Sequence, residues 1–118
     1  MDIKHFSELV GLSAHTIRYY EKIDLLRGIK RDSGGRRYFT EHDVRWVQFI
    51  VRLKETGMPL KSIKQYSDLR HQGDSTLTAR KELLEQHRNH LKAELEKQQN
   101  HLSALDAKIT YYQGEIDA

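Results

Sequence analysis

Apolar residues along this chain follow two spacings. Up to about residue 70 they form short helical clusters broken by glycine, and beyond residue 76 they return every seven positions. The first cluster, residues 5–10, predicts a short helix that stops at Gly11, with Phe6 and Leu9 facing inward. Ser13 then caps a second helix over residues 14–23, whose inward residue is Ile17. The join Val10-Gly11-Leu12-Ser13 has the length of a helix-turn-helix turn, with Gly11 at positive φ and Leu12 tucked into the core.

Residues 27–39 break this pattern. Arg27-Gly28-Ile29-Lys30-Arg31 and Arg36-Arg37-Tyr38-Phe39 flank Asp32-Ser33-Gly34-Gly35, which predicts a short hairpin turned by the glycine pair. Thr40-Glu41-His42-Asp43 reads as a capping box with Asp in place of the usual Glu or Gln. A helix follows to about residue 56, with Val44, Val47, Ile50, Val51 and Leu53 on one side and Gly57 at its stop. Pro59 opens a further helix over residues 60–70, striped by Ile63, Tyr66 and Leu69.

The seven-residue spacing is a coiled-coil seam. Leu77, Leu84, Leu91, Gln98, Leu105 and Tyr112 form one series, and Lys81, Arg88, Leu95, Leu102, Ile109 and Ile116 the other. A helix over residues 76–113 would be roughly 57 Å long at ~1.5 Å per residue. So small a chain cannot cover it, so the seam predicts a homodimer held by Leu84, Leu91, Leu95, Leu102, Leu105 and Ile109. Strand direction is left open by the seam itself. The fold class is mainly α: a helix-turn-helix and hairpin domain at 1–70, a linker at 71–75 and a dimerisation helix at 76–116.

Charge divides along the same line. Residues 1–70 hold 14 Lys and Arg against 9 Asp and Glu, whereas residues 71–118 hold 6 against 8. The first part suits a polyanion and the second does not. Cysteine is absent, which removes disulfides, thiolate metal sites and thiol nucleophiles. No apolar run approaches the ~20 residues that cross a bilayer. Lys4, His5 and Glu8 are unlike a secretory signal. A cytoplasmic protein without membrane contact or cofactor is expected.

The candidate chemistry is nucleic-acid recognition. A helix fits the major groove and meets base edges with its N-terminal residues. Residues 13–20, Ser-Ala-His-Thr-Ile-Arg-Tyr-Tyr, offer Ser13 and Thr16 hydroxyls, the Arg18 guanidinium, and the Tyr19 and Tyr20 phenols. The hairpin carries Arg27, Lys30, Arg31, Arg36 and Arg37 and reads as a phosphate-gripping wing. Lys61 and Lys64 follow Pro59, where free helix-start N–H groups also suit a phosphate. On these residues alone, a coiled-coil adaptor with a basic head that binds non-specifically also fits. Catalysis does not: there is no Gly-rich phosphate loop, and Ser13 and His15 lack a third group to orient a base. His87, His90, Glu94 and His101 share helical spacing but read as solvated, not as a metal site. Trp46, Phe49, Tyr66, Tyr111 and Tyr112 read as packing residues ahead of an effector pocket.

Taken in order, several blocks resemble one family. They are His15-Thr16-Ile17-Arg18-Tyr19-Tyr20-Glu21-Lys22-Ile23, Leu25-Leu26, Arg31 through Gly35-Arg36-Arg37-Tyr38, Glu41-His42-Asp43-Val44, and Leu53-Lys54-Glu55-Thr56-Gly57-Met58-Pro59-Leu60. Together they resemble the MerR family of bacterial transcription regulators, in particular the short subgroup of NmlR- and AdhR-type aldehyde and stress regulators. The resemblance implies a winged helix-turn-helix and an antiparallel coiled-coil dimer. It implies binding to an inverted repeat of double-stranded DNA in a long promoter spacer, which is distorted so that RNA polymerase engages both hexamers. By position, Ser13, Thr16, Arg18, Tyr19 and Tyr20 would contact DNA from the helix, Arg36, Arg37 and Tyr38 from the first wing, and Lys61 from the second. Arg52 stands where the aldehyde subgroup often has a cysteine, so thiol sensing has no nucleophile here. No effector is identified by the sequence.

Overall fold

The computed structural model describes residues 1–118. In chain order it has α1 (Ile3–Val10), α2 (Ala14–Lys22), β1 (Lys30–Arg31), β2 (Arg37–Tyr38), α3 (Glu41–Glu55), α4 (Leu60–Gln72) and α5 (Leu77–Asp117), with a 3-10 turn at Asp74–Thr76 before α5. Two compact units divide the chain at Arg80 and Lys81.

Each helix of the first unit begins and ends for local reasons. Asp2 and Ser13 cap α1 and α2 by accepting the N–H groups of His5 and Thr16. Thr40 and Asp43 form the expected box: the Thr40 N–H donates to Asp43 Oδ2 at 2.9 Å and the Asp43 N–H to Thr40 Oγ1 at 3.4 Å. At the end of α3 the Met58 N–H reaches the Leu53 carbonyl at 2.9 Å and the Gly57 N–H reaches Lys54 at 3.0 Å. This double closure needs a left-handed residue, and Gly57 supplies it at φ 91°. α2 closes the same way with Asp24, at φ 63°, in the glycine position: the Leu25 N–H bonds the Tyr20 carbonyl at 2.9 Å. Asp tolerates that conformation better than most side chains. Both closures turn the next residue, Leu25 or Met58, into the core.

The core of this unit joins α1, α2, α3 and α4 around Phe6, Ile17, Tyr20, Leu25, Val47, Ile50 and Ile63. Phe6 stacks on Phe39 with centroids 4.1 Å apart and planes 9° apart. The backbone of Phe39 also exchanges two hydrogen bonds with Met1, so the exit of β2 is tied to the start of α1. The Trp46 indole N–H is buried and donates to the Leu25 carbonyl at 2.7 Å.

Four details of the sequence reading change. Leu9 is 47% exposed, because the buried stripe of α1 runs through Phe6 and Val10, one turn apart, and leaves Leu9 on its flank. Leu12 is only half-buried. On α3, Trp46 takes a core position, and Val44 and Val51 lie at its edge. On α4, Ser67 is buried with Ile63, while Tyr66 and Leu69 are half-buried.

The stretch expected as a linker is ordered backbone. α4 runs to Gln72, and Thr76 Oγ1 lies within hydrogen-bond distance of the Leu69 and Gly73 carbonyls, at 2.5 and 2.7 Å. Arg80 donates to the Gly73 carbonyl as well. The second unit is the remainder of α5, and no residue of that helix is buried.

Candidate nucleic-acid interface

A nine-residue helix with a buried side has little outer surface. In α2 Ile17 and Tyr20 are buried, and His15, Arg18, Tyr19 and Lys22 are exposed at i, i+3, i+4 and i+7. Arg18 makes no hydrogen bond or ion pair within the chain, so its full fork of donors is available. Tyr19 is about half exposed, its ring tilted at 6.5 Å from that of Tyr20.

Tyr20 does not belong to this surface. It is 1% exposed, and its hydroxyl accepts a hydrogen bond from Lys54 Nζ at 3.2 Å. Its position three residues after Ile17 puts it on the inward stripe, so it holds α2 against α3. Ser13 and Thr16 are placed at the start of α2, but their hydroxyls face each other at 3.0 Å while Ser13 also accepts the Thr16 N–H. Capping occupies them first.

The hairpin is antiparallel, with Lys30 opposite Tyr38 and Arg31 opposite Arg37. Its turn owes as much to Asp32 as to the glycines. Asp32 Oδ1 accepts the N–H groups of Gly34 and Arg36 at 2.9 and 3.0 Å, and Gly35 takes the left-handed position at φ 79°. Arg36 extends from the turn without a side-chain partner, and Tyr38 is 52% exposed.

Arg37 is placed differently. Its Nε donates to Glu21 Oε1 at 2.7 Å, and Arg31 lies 3.7 Å from the same oxygen. A carboxylate on α2 thus braces both strands of the wing. Sequence reading missed Glu21 because the partners are 16 residues apart, beyond any helical or hairpin spacing. The charge pattern alone does not single it out, because Asp24 and Asp32 lie as near to the wing cations in sequence. Glu21→Gln is expected to leave global stability within about 1 kcal/mol, the usual range for an ion pair near the surface. It should still speed amide hydrogen exchange at Asp32, whose N–H donates to the Arg36 carbonyl across the hairpin at 2.8 Å. Unchanged exchange there would show that the hairpin stands without the brace.

Lys61 is exposed in the first turn of α4 and has no partner. Pro59, the N-cap, offers no side-chain acceptor, so the Leu60 and Lys61 N–H groups stay open to an anion. No hydrogen bond or ion pair joins Lys61 to α2 or to the wing.

The remaining candidates divide as follows. Trp46, Phe49 and Tyr66 pack together, with ring centroids 6.0 and 5.7 Å from Tyr66, and Arg70 lies 4.1 Å above the Trp46 ring. Tyr111 and Tyr112 pair with each other on α5, with Lys108 over both rings. No three His, Asp or Glu side chains converge as metal ligands would. No helix is long and apolar enough to cross a membrane.

Comparison with known proteins matches this architecture to one family. Residues 1–69 match the MerR HTH family regulatory protein domain, and residues 44–110 match the MerR DNA-binding region. An HTH-type transcriptional regulator of Haemophilus influenzae is 36% identical over 107 residues, covering 91% of this chain and 79% of its own length. The regulator AdhR of Bacillus subtilis is 35% identical over 77% of this chain and 65% of its own length. The crystal structure of HiNmlR, a MerR family regulator lacking the sensor domain and bound to promoter DNA, superimposes with a TM-score of 0.84. It is 34% identical over 96% of this chain and 86% of that one. With a family match over residues 1–69 and such relatives along most of its length, this protein belongs to the MerR family of helix-turn-helix transcriptional regulators.

Proposed function

We propose that this DNA-binding regulator works as a homodimer, joined through an antiparallel α5 coiled coil, on an inverted repeat inside a long promoter spacer. Each protomer inserts α2 into a major groove and lays its wing on the flanking backbone. Arg18 reads or clamps the DNA from α2, Tyr19 meets the backbone, and Arg36 and Tyr38 act from the wing. Arg37 is shared between Glu21 and phosphate, and Lys61 binds a phosphate at the start of α4. Bending and undertwisting the spacer brings the promoter hexamers into line for RNA polymerase, with the deformation offset by added phosphate contacts.

The observation that carries this reading is the free Arg18–Tyr19 surface of α2 beside a braced basic wing. It has added weight because a 34%-identical relative was solved on promoter DNA. Cysteine is absent, so any signal reaches the dimer by chemistry other than thiol modification.

DNase footprinting on the DNA flanking the chain's own gene tests the proposal. The expected result is a protected palindrome in a long spacer with hypersensitive central bases. Smeared binding confined to low salt would favour a basic-headed adaptor instead. Arg18→Ala should weaken operator binding by about 1–3 kcal/mol per half-site while the dimer stays intact. An unaltered footprint from that variant would mean that α2 is not the reading helix.

A further inference from the structure

His15 is the first side chain of α2 on the exposed stripe, and it makes no hydrogen bond or ion pair within the chain. Its neighbours at the helix start are committed elsewhere. The Ser13 and Thr16 hydroxyls face each other, and Ala14 has no polar side-chain atom. Tyr20 is in the core. Of the polar side chains in the first turn, His15 alone is uncommitted. That is the turn a recognition helix presents to base edges.

The imidazole restricts what it can read. Its two nitrogens point away from one another, so only one of them meets a given base edge. As an N–H donor it is best matched by guanine, whose N7 and O6 are adjacent acceptors in the major groove. Adenine presents a donor beside its acceptor, and cytosine presents a donor alone.

We propose that His15 reads a guanine in each half-site of the operator and so fixes base preference at one position, separately from the affinity supplied by Arg18. This rests on the sequence-specific reading above. A two-fold dimer would apply the preference twice, at symmetric positions of the inverted repeat.

Binding selection from a random double-stranded DNA library, with the full chain, tests it. Wild type, His15→Asn and His15→Ala are compared, after circular dichroism confirms equal helix content. Wild type should enrich an inverted repeat with guanine at one position per half-site. Asn pairs with adenine N6 and N7, so His15→Asn should enrich the same repeat with adenine there, a swing on the order of tenfold. His15→Ala should lose preference at that position alone. If both variants enrich the wild-type repeat unchanged, His15 reads no base, and the regulator reading stands without it. Equal weakening at every position would make His15 a phosphate contact and overturn the proposal in the same way. If wild type enriches no repeat, sequence-specific binding fails and this proposal falls with it.

Discussion

Leu102→Asp is expected to yield monomers and, through them, to abolish operator binding. Leu102 is 51% exposed in the single chain, and Leu95, Leu105 and Ile109 are more so. These four lie on one seam of a helix that buries nothing by itself. If a second copy covers that seam, an aspartate there places a charge against leucine in a dry layer, at a cost of several kcal/mol. Two such charges, one from each protomer, exceed what a short coiled coil can absorb. Each freed monomer then holds one half-site and loses the gain from linked binding. Sedimentation equilibrium measures the first effect and footprinting the second. A Leu102→Asp protein that remained dimeric would place the interface on another face of α5. Leu91→Asp, at a half-buried position of the other series, should act alike.

Phe39→Ala should have the largest effect on stability. Phe39 is fully buried, stacked on Phe6, and bonded through its backbone to Met1. Truncating a buried phenylalanine typically costs about 3–5 kcal/mol. A domain of this size shifts its melting temperature by roughly 4–8 °C per kcal/mol. A drop of on the order of 15 °C or more is therefore expected in a thermal melt followed by near-ultraviolet circular dichroism. A drop below about 5 °C would mean that α1 and the wing exit are held by something other than this stack.

Much of this architecture is legible in the chain because its signals are local. Thr40 and Asp43 sit three residues apart and bond each other, and Gly57 marks a stop that only a left-handed residue completes. The seven-residue repeat needs no tertiary information at all. Legibility fails where the outcome depends on what packs nearby. Tyr19 and Tyr20 are chemically identical neighbours; spacing from Ile17 turns the second inward, and packing against α3 makes it core instead of a DNA contact. Leu9 has the chemistry of a core residue but lies beside the stripe set by Phe6 and Val10. Asp24 closes α2 in a role that sequence rules assign to glycine. In the candidate interface, Arg18, Tyr19, Arg36 and Tyr38 lie exposed on the elements expected of them, whereas Glu21 emerges only when the hairpin folds back on α2.

That carboxylate also alters the thermodynamics of DNA binding. The wing segment carries five cations, yet Arg31 and Arg37 share Glu21, and Arg27 is bonded to Asp68. Lys30 and Arg36 arrive without a partner, and the shared carboxylate leaves one of the two charges on Arg31 and Arg37 over. Counterions leave DNA only as phosphates are neutralised by free positive charge, so each wing displaces fewer ions than its composition suggests. If the wing meets phosphate as proposed, affinity for arbitrary sequence should be held down while contacts that depend on base identity are unaffected. The expected consequence is less time spent on the rest of the chromosome, and an occupancy of a true site that is less sensitive to cellular salt.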